Sequence, residues 1–121
     1  MTRVLLIGLG RWGANHLRVL RSLPVELYCA DSDTARLAAA AKAGVPEARL
    51  ATDAAALVGK VDGVVIATPA ETHFPLARLC LEAGKDVLVE KPLTLKAGEG
   101  LALAEQAERA ARNLQVGYIF R

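Results

Sequence analysis

Cysteine is scarce in this 121-residue chain: only Cys29 and Cys80 occur, with fifty residues between them and without C-x-x-C spacing. That excludes a disulfide framework and a thiolate metal site, and leaves two thiols buried in apolar elements. Aromatic residues are equally few, with one Trp, two Tyr and two Phe. Little is available to stack on bases, and 15 basic residues stand against 13 acidic ones without forming a block. Nucleic acid is therefore not an expected partner. No run approaches the ~18 apolar residues that span a bilayer, so a membrane partner is not expected either. The run Val4-Leu5-Leu6-Ile7 is short, leads into glycines and lacks a small-residue cleavage site. It reads as a first strand rather than a secretory signal, and a cytoplasmic location follows. Internal repeats and low-complexity linkers are absent too. The composition, 53% hydrophobic and 23% charged, is that of one soluble globular domain covering residues 1–121.

What is present is an alternation of short apolar runs with longer amphipathic ones, the pattern of repeated strand-helix units around a parallel sheet. Six strands are expected, over residues 3–8, 25–31, 48–51, 62–68, 86–90 and 114–119. Helices are expected over 11–23, stopped by Pro24; 34–43, capped by Ser32 or Asp33; 53–58, capped by Thr52; 72–83; and, preceded by Thr94, from there to about residue 113. Leu17, Leu20 and Leu23 are the core-facing positions of the first helix. Right-handed crossovers make this an α/β fold with a doubly wound six-stranded parallel sheet of order 3-2-1-4-5-6. Ligands of such sheets bind at the carboxyl edge, in the crevice between strands one and four.

Gly8-Leu9-Gly10-Arg11-Trp12-Gly13 matches G-x-G-x-x-G. The spacing alone is a weak signal; a strand before it, a helix after it and Asp31 at the end of strand two supply the context of a dinucleotide site. The helix amino terminus offers amides to a pyrophosphate. Asp31 can accept hydrogen bonds from the adenosine ribose hydroxyls. A 2′-phosphate there would be repelled by about 4 kcal/mol per charge pair at ~4 Å and an effective dielectric of ~20. NAD is thus favoured over NADP, although Arg36, a turn further on, softens the preference. The competing assignment makes Asp31 a helix cap, and the two roles can coexist. Trp12 either covers the pyrophosphate or packs within the loop, and His16 reads as structural.

Two further clusters fall at the same sheet edge. Thr68 and Pro69 leave strand four, and Thr72-His73 open the next helix, facing the crevice mouth; the plain alternative is an N-cap threonine beside an exposed histidine. Glu90-Lys91-Pro92 closes strand five and sets a carboxylate and a cation at the edge. Alone it would pass for a solvated strand-end pair.

Together, Gly8-x-Gly10-x-x-Gly13-x-x-His16, Ala67-Thr68-Pro69-x-x-Thr72-His73, Ala83-Gly84-Lys85, Glu90-Lys91-Pro92 and Val116-Gly117-Tyr118 resemble the glucose-fructose oxidoreductase, inositol dehydrogenase and MocA family along the whole chain. The resemblance implies a Rossmann NAD-binding domain of an oxidoreductase that moves hydride between a sugar, polyol or nucleotide-sugar hydroxyl and nicotinamide. It implies that Lys91 is catalytic, holding the substrate oxygen beside the nicotinamide ribose, that Glu90 orients the cofactor, and that Thr68, Pro69 and His73 line the nicotinamide and pyrophosphate region. Family members continue into a second α/β domain that carries the substrate pocket and a dimerising sheet, so substrate binding and homo-oligomer formation are expected to depend on a domain missing from these 121 residues. Without it, turnover is expected to be negligible. Two other classes remain open: a stand-alone NAD(H)-sensing protein without catalysis, and a small coenzyme A-binding domain, which Asp31 and Lys91 disfavour.

Overall fold

The structure is a computed structural model that describes residues 1–91 and 93–117. Each apolar run forms a strand: β1 Thr2–Ile7, β2 Val25–Ala30, β3 Leu50–Ala51, β4 Gly63–Ile66, β5 Asp86–Glu90 and β6 Leu114–Gly117. They make one sheet in the order β3-β2-β1-β4-β5-β6, with every pair parallel. The expected continuation of the last strand to residue 119, and Pro92, lie outside the described residues. Helices α1 Arg11–Arg21, α2 Thr34–Lys42, α3 Ala55–Val58, α4 His73–Glu82 and α5 Ala97–Ala110 connect the strands.

Period-two alternation sends successive strand residues to opposite faces. Leu5, Ile7, Val64, Ile66, Val87 and Val89 pack with α3, α4 and α5. Val4, Leu6, Leu27, Cys29, Val65 and Leu88 pack on the other face, with Leu17 and Leu20 of α1 and Leu37 and Ala40 of α2. Leu5, Leu6 and Ile66 are fully enclosed, each worth about 1.5–3 kcal/mol relative to exposure. A sheet covered on both faces must bind its ligands at its edge.

Several boundaries differ from the sequence reading. The first helix ends at Arg21, because Ser22 turns its hydroxyl back onto the Val19 carbonyl at 2.6 Å, and Leu23 is exposed rather than core-facing. The Asp33 carboxylate, not Ser32, caps α2 by accepting the Ala35 N–H at 2.9 Å. Asp53, not Thr52, accepts from Ala55 ahead of α3. Residues Glu47–Arg49 form a 3-10 turn that shortens β3 to two residues. The last helix starts at Ala97, since Thr94 Oγ1 donates to the Lys96 carbonyl and holds that segment out of the helix. Side-chain hydrogen bonds at helix ends compete with the ladder and so move boundaries by a turn.

Candidate functional site

All six strands present their carboxyl ends at one edge. There the β1–α1 turn is set by glycines. Gly8 has φ +102°, a left-handed conformation that L side chains resist, and a Cβ on it would lie 2.7 Å from the Ala67 carbonyl oxygen. A Cβ on Gly13 would overlap the Gly8 carbonyl oxygen. Helix α1 therefore sits directly on the end of β1. Gly10 is its N-cap; no side chain caps it, and its first turn holds no acid. Helix ends of this kind leave amides for an anion.

Asp31 follows β2 and is 8% exposed. Its Oδ2 accepts the Leu9 N–H at 2.7 Å, and its Oδ1 accepts the Asp33 N–H at 2.8 Å. The acid thus ties the glycine loop to the start of α2. The Arg36 guanidinium lies 3.6 Å from Asp31 and 3.7 Å from Asp33, and its Nη1 would be 3.5 Å from a Cβ on Gly10. One cation accordingly stands over the acid at the mouth of the loop.

Beyond β4, the Thr72 hydroxyl lies 2.6 Å from both Thr68 Oγ1 and the Pro69 carbonyl. It makes no cap bond to α4, contrary to the plain reading of it as an N-cap. His73 is only 1% exposed, and its Nε2 donates to the Thr68 carbonyl at 2.8 Å. It braces the loop from beneath instead of facing solvent. Beyond β5, Glu90 is 7% exposed and its Oε1 lies 2.7 Å from His16 Nε2. Lys91 is exposed, and its N–H donates to the Gly117 carbonyl at 3.1 Å.

These loops enclose a cleft of about 690 Å³, within the size range of ligand sites. Gly8, Gly10, Arg11, Trp12, Asp31, Thr68, Pro69 and Glu90 all line it. Leu9, His73 and Lys91 do not: the first contributes its amide to Asp31, the second supports Thr68, and the third lies just past the strand end. Sequence reasoning missed Ser32, Thr52, Asp53, Leu76 and Leu79, which also line the cleft. The carboxyl end of β3 was the available signal for Thr52 and Asp53, since it falls on the same edge. No group of His, Cys, Asp and Glu among the described residues could hold a metal ion, and no described helix is long and apolar enough to cross a membrane. An uncapped helix end, a glycine floor without Cβ atoms and a buried carboxylate one loop away together fit a dinucleotide.

Fold and site thus define a Rossmann-type nucleotide-binding domain. Residues 2–118 match the oxidoreductase family with an NAD-binding Rossmann fold, the Gfo/Idh/MocA family, and the chain belongs to it. Inositol 2-dehydrogenase 1 of Saccharopolyspora erythraea is 40% identical over 98% of this chain and 37% of its own length. The WlbA dehydrogenase of Chromobacterium violaceum, solved with NADH and UDP-GlcNAcA, superposes with a TM-score of 0.87 at 30% identity, over 96% of this chain and 34% of that one. Biliverdin reductase of Synechocystis, solved with biliverdin and NADP+, gives 0.87 at 30% identity, over 95% and 37%. The chain spans little more than a third of the length of each of these relatives.

Proposed function

We propose that this domain is the NAD-binding half of a dehydrogenase that transfers hydride between the carbinol carbon of a sugar or polyol and nicotinamide, with nucleotide sugars within the substrate class. The observation that carries the reading is the single cleft that has Asp31 at one end, Thr68, Pro69 and Glu90 at the other, and the glycine turn between them. Asp31 and Arg36 would hold the adenosine ribose, and Gly8, Gly10, Arg11 and Trp12 the pyrophosphate, with Leu9 closing the loop through its N–H to Asp31. Thr68 and Pro69, braced by His73, would flank the nicotinamide with Glu90. The bound cofactor supplies the hydride acceptor.

Lys91 would meet the substrate oxygen just outside the β5 edge. A cation there favours the alkoxide character that develops as hydride leaves carbon, and it acts more strongly in the transition state than in the ground state. The buried Asp31 carboxylate supports NAD over NADP. To the same proposal belong a second domain that completes the substrate pocket, for which the greater length of the relatives leaves room, a homo-oligomer formed through it, and a cytoplasmic location.

Trp12, the sole tryptophan, lines the cleft, so NADH is expected to quench its emission saturably while gaining sensitised emission of its own. A titration without either change rejects the cofactor reading. In a polypeptide joining this domain to its substrate domain, Lys91→Ala is expected to lower kcat by about 10²–10³, the usual worth of one transition-state contact, while NADH affinity stays within about twofold. Unchanged turnover rejects the role of Lys91.

A further inference from the structure

We infer that His16 is a positioning residue, which clasps Glu90 and so fixes the catalytic edge of β5 relative to the helix that anchors the cofactor phosphates. The proposal rests on the cofactor reading above.

The geometry begins with α1. His16 shares the sheet-facing side of this helix with Gly13, three residues before it, and Leu20, four residues after it; Gly13 is buried and Leu20 packs in the core. Glu90 stands two residues beyond Leu88, on the same sheet face as α1. The strands β1 and β5 are separated by β4, so the contact reaches across two strand spacings, about 10 Å, and joins residues 74 apart in sequence.

The Glu90 side chain is 10% exposed and that of His16 is 28% exposed. A carboxylate so enclosed needs a hydrogen-bond donor, and 2.7 Å is the distance of a strong, charge-assisted bond. Among the described residues no buried side-chain nitrogen or oxygen lacks a partner. With Oε1 taken by His16, Glu90 keeps one orientation on the cleft wall, and Lys91 follows it immediately in the chain. The bond also spans the two halves of the site: the amides proposed for the pyrophosphate begin the helix that carries His16, and the groups proposed for the nicotinamide end follow β4 or end β5. Loosening it would let these halves drift relative to one another while leaving every proposed cofactor contact chemically intact.

The test is a double-mutant cycle on this chain with NADH as the probe, read by Trp12 quenching, alongside thermal unfolding. His16→Ala and Glu90→Ala are each expected to weaken NADH binding by about five- to tenfold, and the double variant by no more than the worse single one, as for two residues acting as a unit. His16→Gln, which places an amide N–H near the Nε2 position, is expected to recover affinity to within about twofold of the unaltered chain. Multiplicative losses in the cycle overturn the clasp, as does a His16→Ala variant that melts earlier yet binds NADH normally. Should His16→Ala fail to fold, His16→Gln against His16→Leu decides: equal affinities for the two overturn it. No saturable NADH binding by the unaltered chain overturns the cofactor reading and the clasp together, whereas normal binding without coupling overturns the clasp alone.

Discussion

The backbone N–H of Leu9 donates to Oδ2 of Asp31 across 2.7 Å, and both residues are buried. The carboxylate that would hold a ribose is therefore also the acceptor that closes the glycine loop against β2. Asp31→Ala leaves the Leu9 amide without its acceptor, at an expected cost of about 1–3 kcal/mol, in addition to lost NADH affinity. Asp31→Asn retains an oxygen and is expected to lose less. Urea unfolding of the three proteins checks this; an unshifted midpoint for Asp31→Ala would refute the loop-closing role.

Arg36 sits 3.6 Å from the same carboxylate with its side chain half exposed. It offsets part of the repulsion that Asp31 would exert on a 2′-phosphate. NADH is expected to bind more tightly than NADPH, and Arg36→Gln to widen the NADPH/NADH ratio of dissociation constants by roughly two- to fivefold, the worth of a partly solvated ion pair. A ratio that narrows would assign Arg36 a different role.

Backbone strain is distributed unevenly over the helix ends. Gly44 and Gly84 adopt positive φ where α2 and α4 stop, but α5 stops at Ala111 with φ 55°. Left-handed backbone costs a non-glycine residue about 1–2 kcal/mol, so Ala111→Gly is expected to stabilise the fold by about 1 kcal/mol. Gly13→Ala, which would drive a methyl into the Gly8 carbonyl, is expected to destabilise it by about 3 kcal/mol or more. Denaturant midpoints measure both, and a stable Gly13→Ala protein would mean that the β1–α1 turn can open.

Burial pushes the thiols of Cys29 and Cys80 up from 9.0 to about 12. In the unfolded chain they ionise near 9, while the folded chain holds their protons, so they favour the native state fully below pH 9 and lose that contribution as pH rises from 9 toward 12. At the acid end, the Arg3 N–H bonded to Asp62 holds that carboxyl below its ordinary 3.8. Its contribution is present above about pH 4 and fades as pH falls further. Native protein at pH 8 is expected to react negligibly with a disulfide reagent, and two thiols are expected to appear in denaturant. Fast labelling of either thiol in the native state would contradict their burial.

Residues 3–7 and 86–90 were legible as strands because a doubly buried parallel strand must be almost wholly apolar, and the alternation of strands with amphipathic runs then dictates handed crossovers and strand order. Gly8, Gly10, Gly13 and Asp31 were legible because their spacing follows from a turn that admits no Cβ. His73 was not. Its place in the sequence fits an exposed helix start as well as a buried brace, and only the approach of the Thr68 carbonyl distinguishes them. Thr72 stayed open between the crevice mouth and a cap for the same reason, since its hydroxyl had a choice of partners.

Short-range chemistry, then, settles which residues begin, end and line each element: apolar period, glycine conformation and the lack of a proline donor act within a few residues of one another. The pairing of His16 with Glu90, and of Leu9 with Asp31, depended on the tertiary structure. Those partners lie 74 and 22 residues apart, and nothing local to either one specifies the other until the sheet brings their strand ends to a common edge.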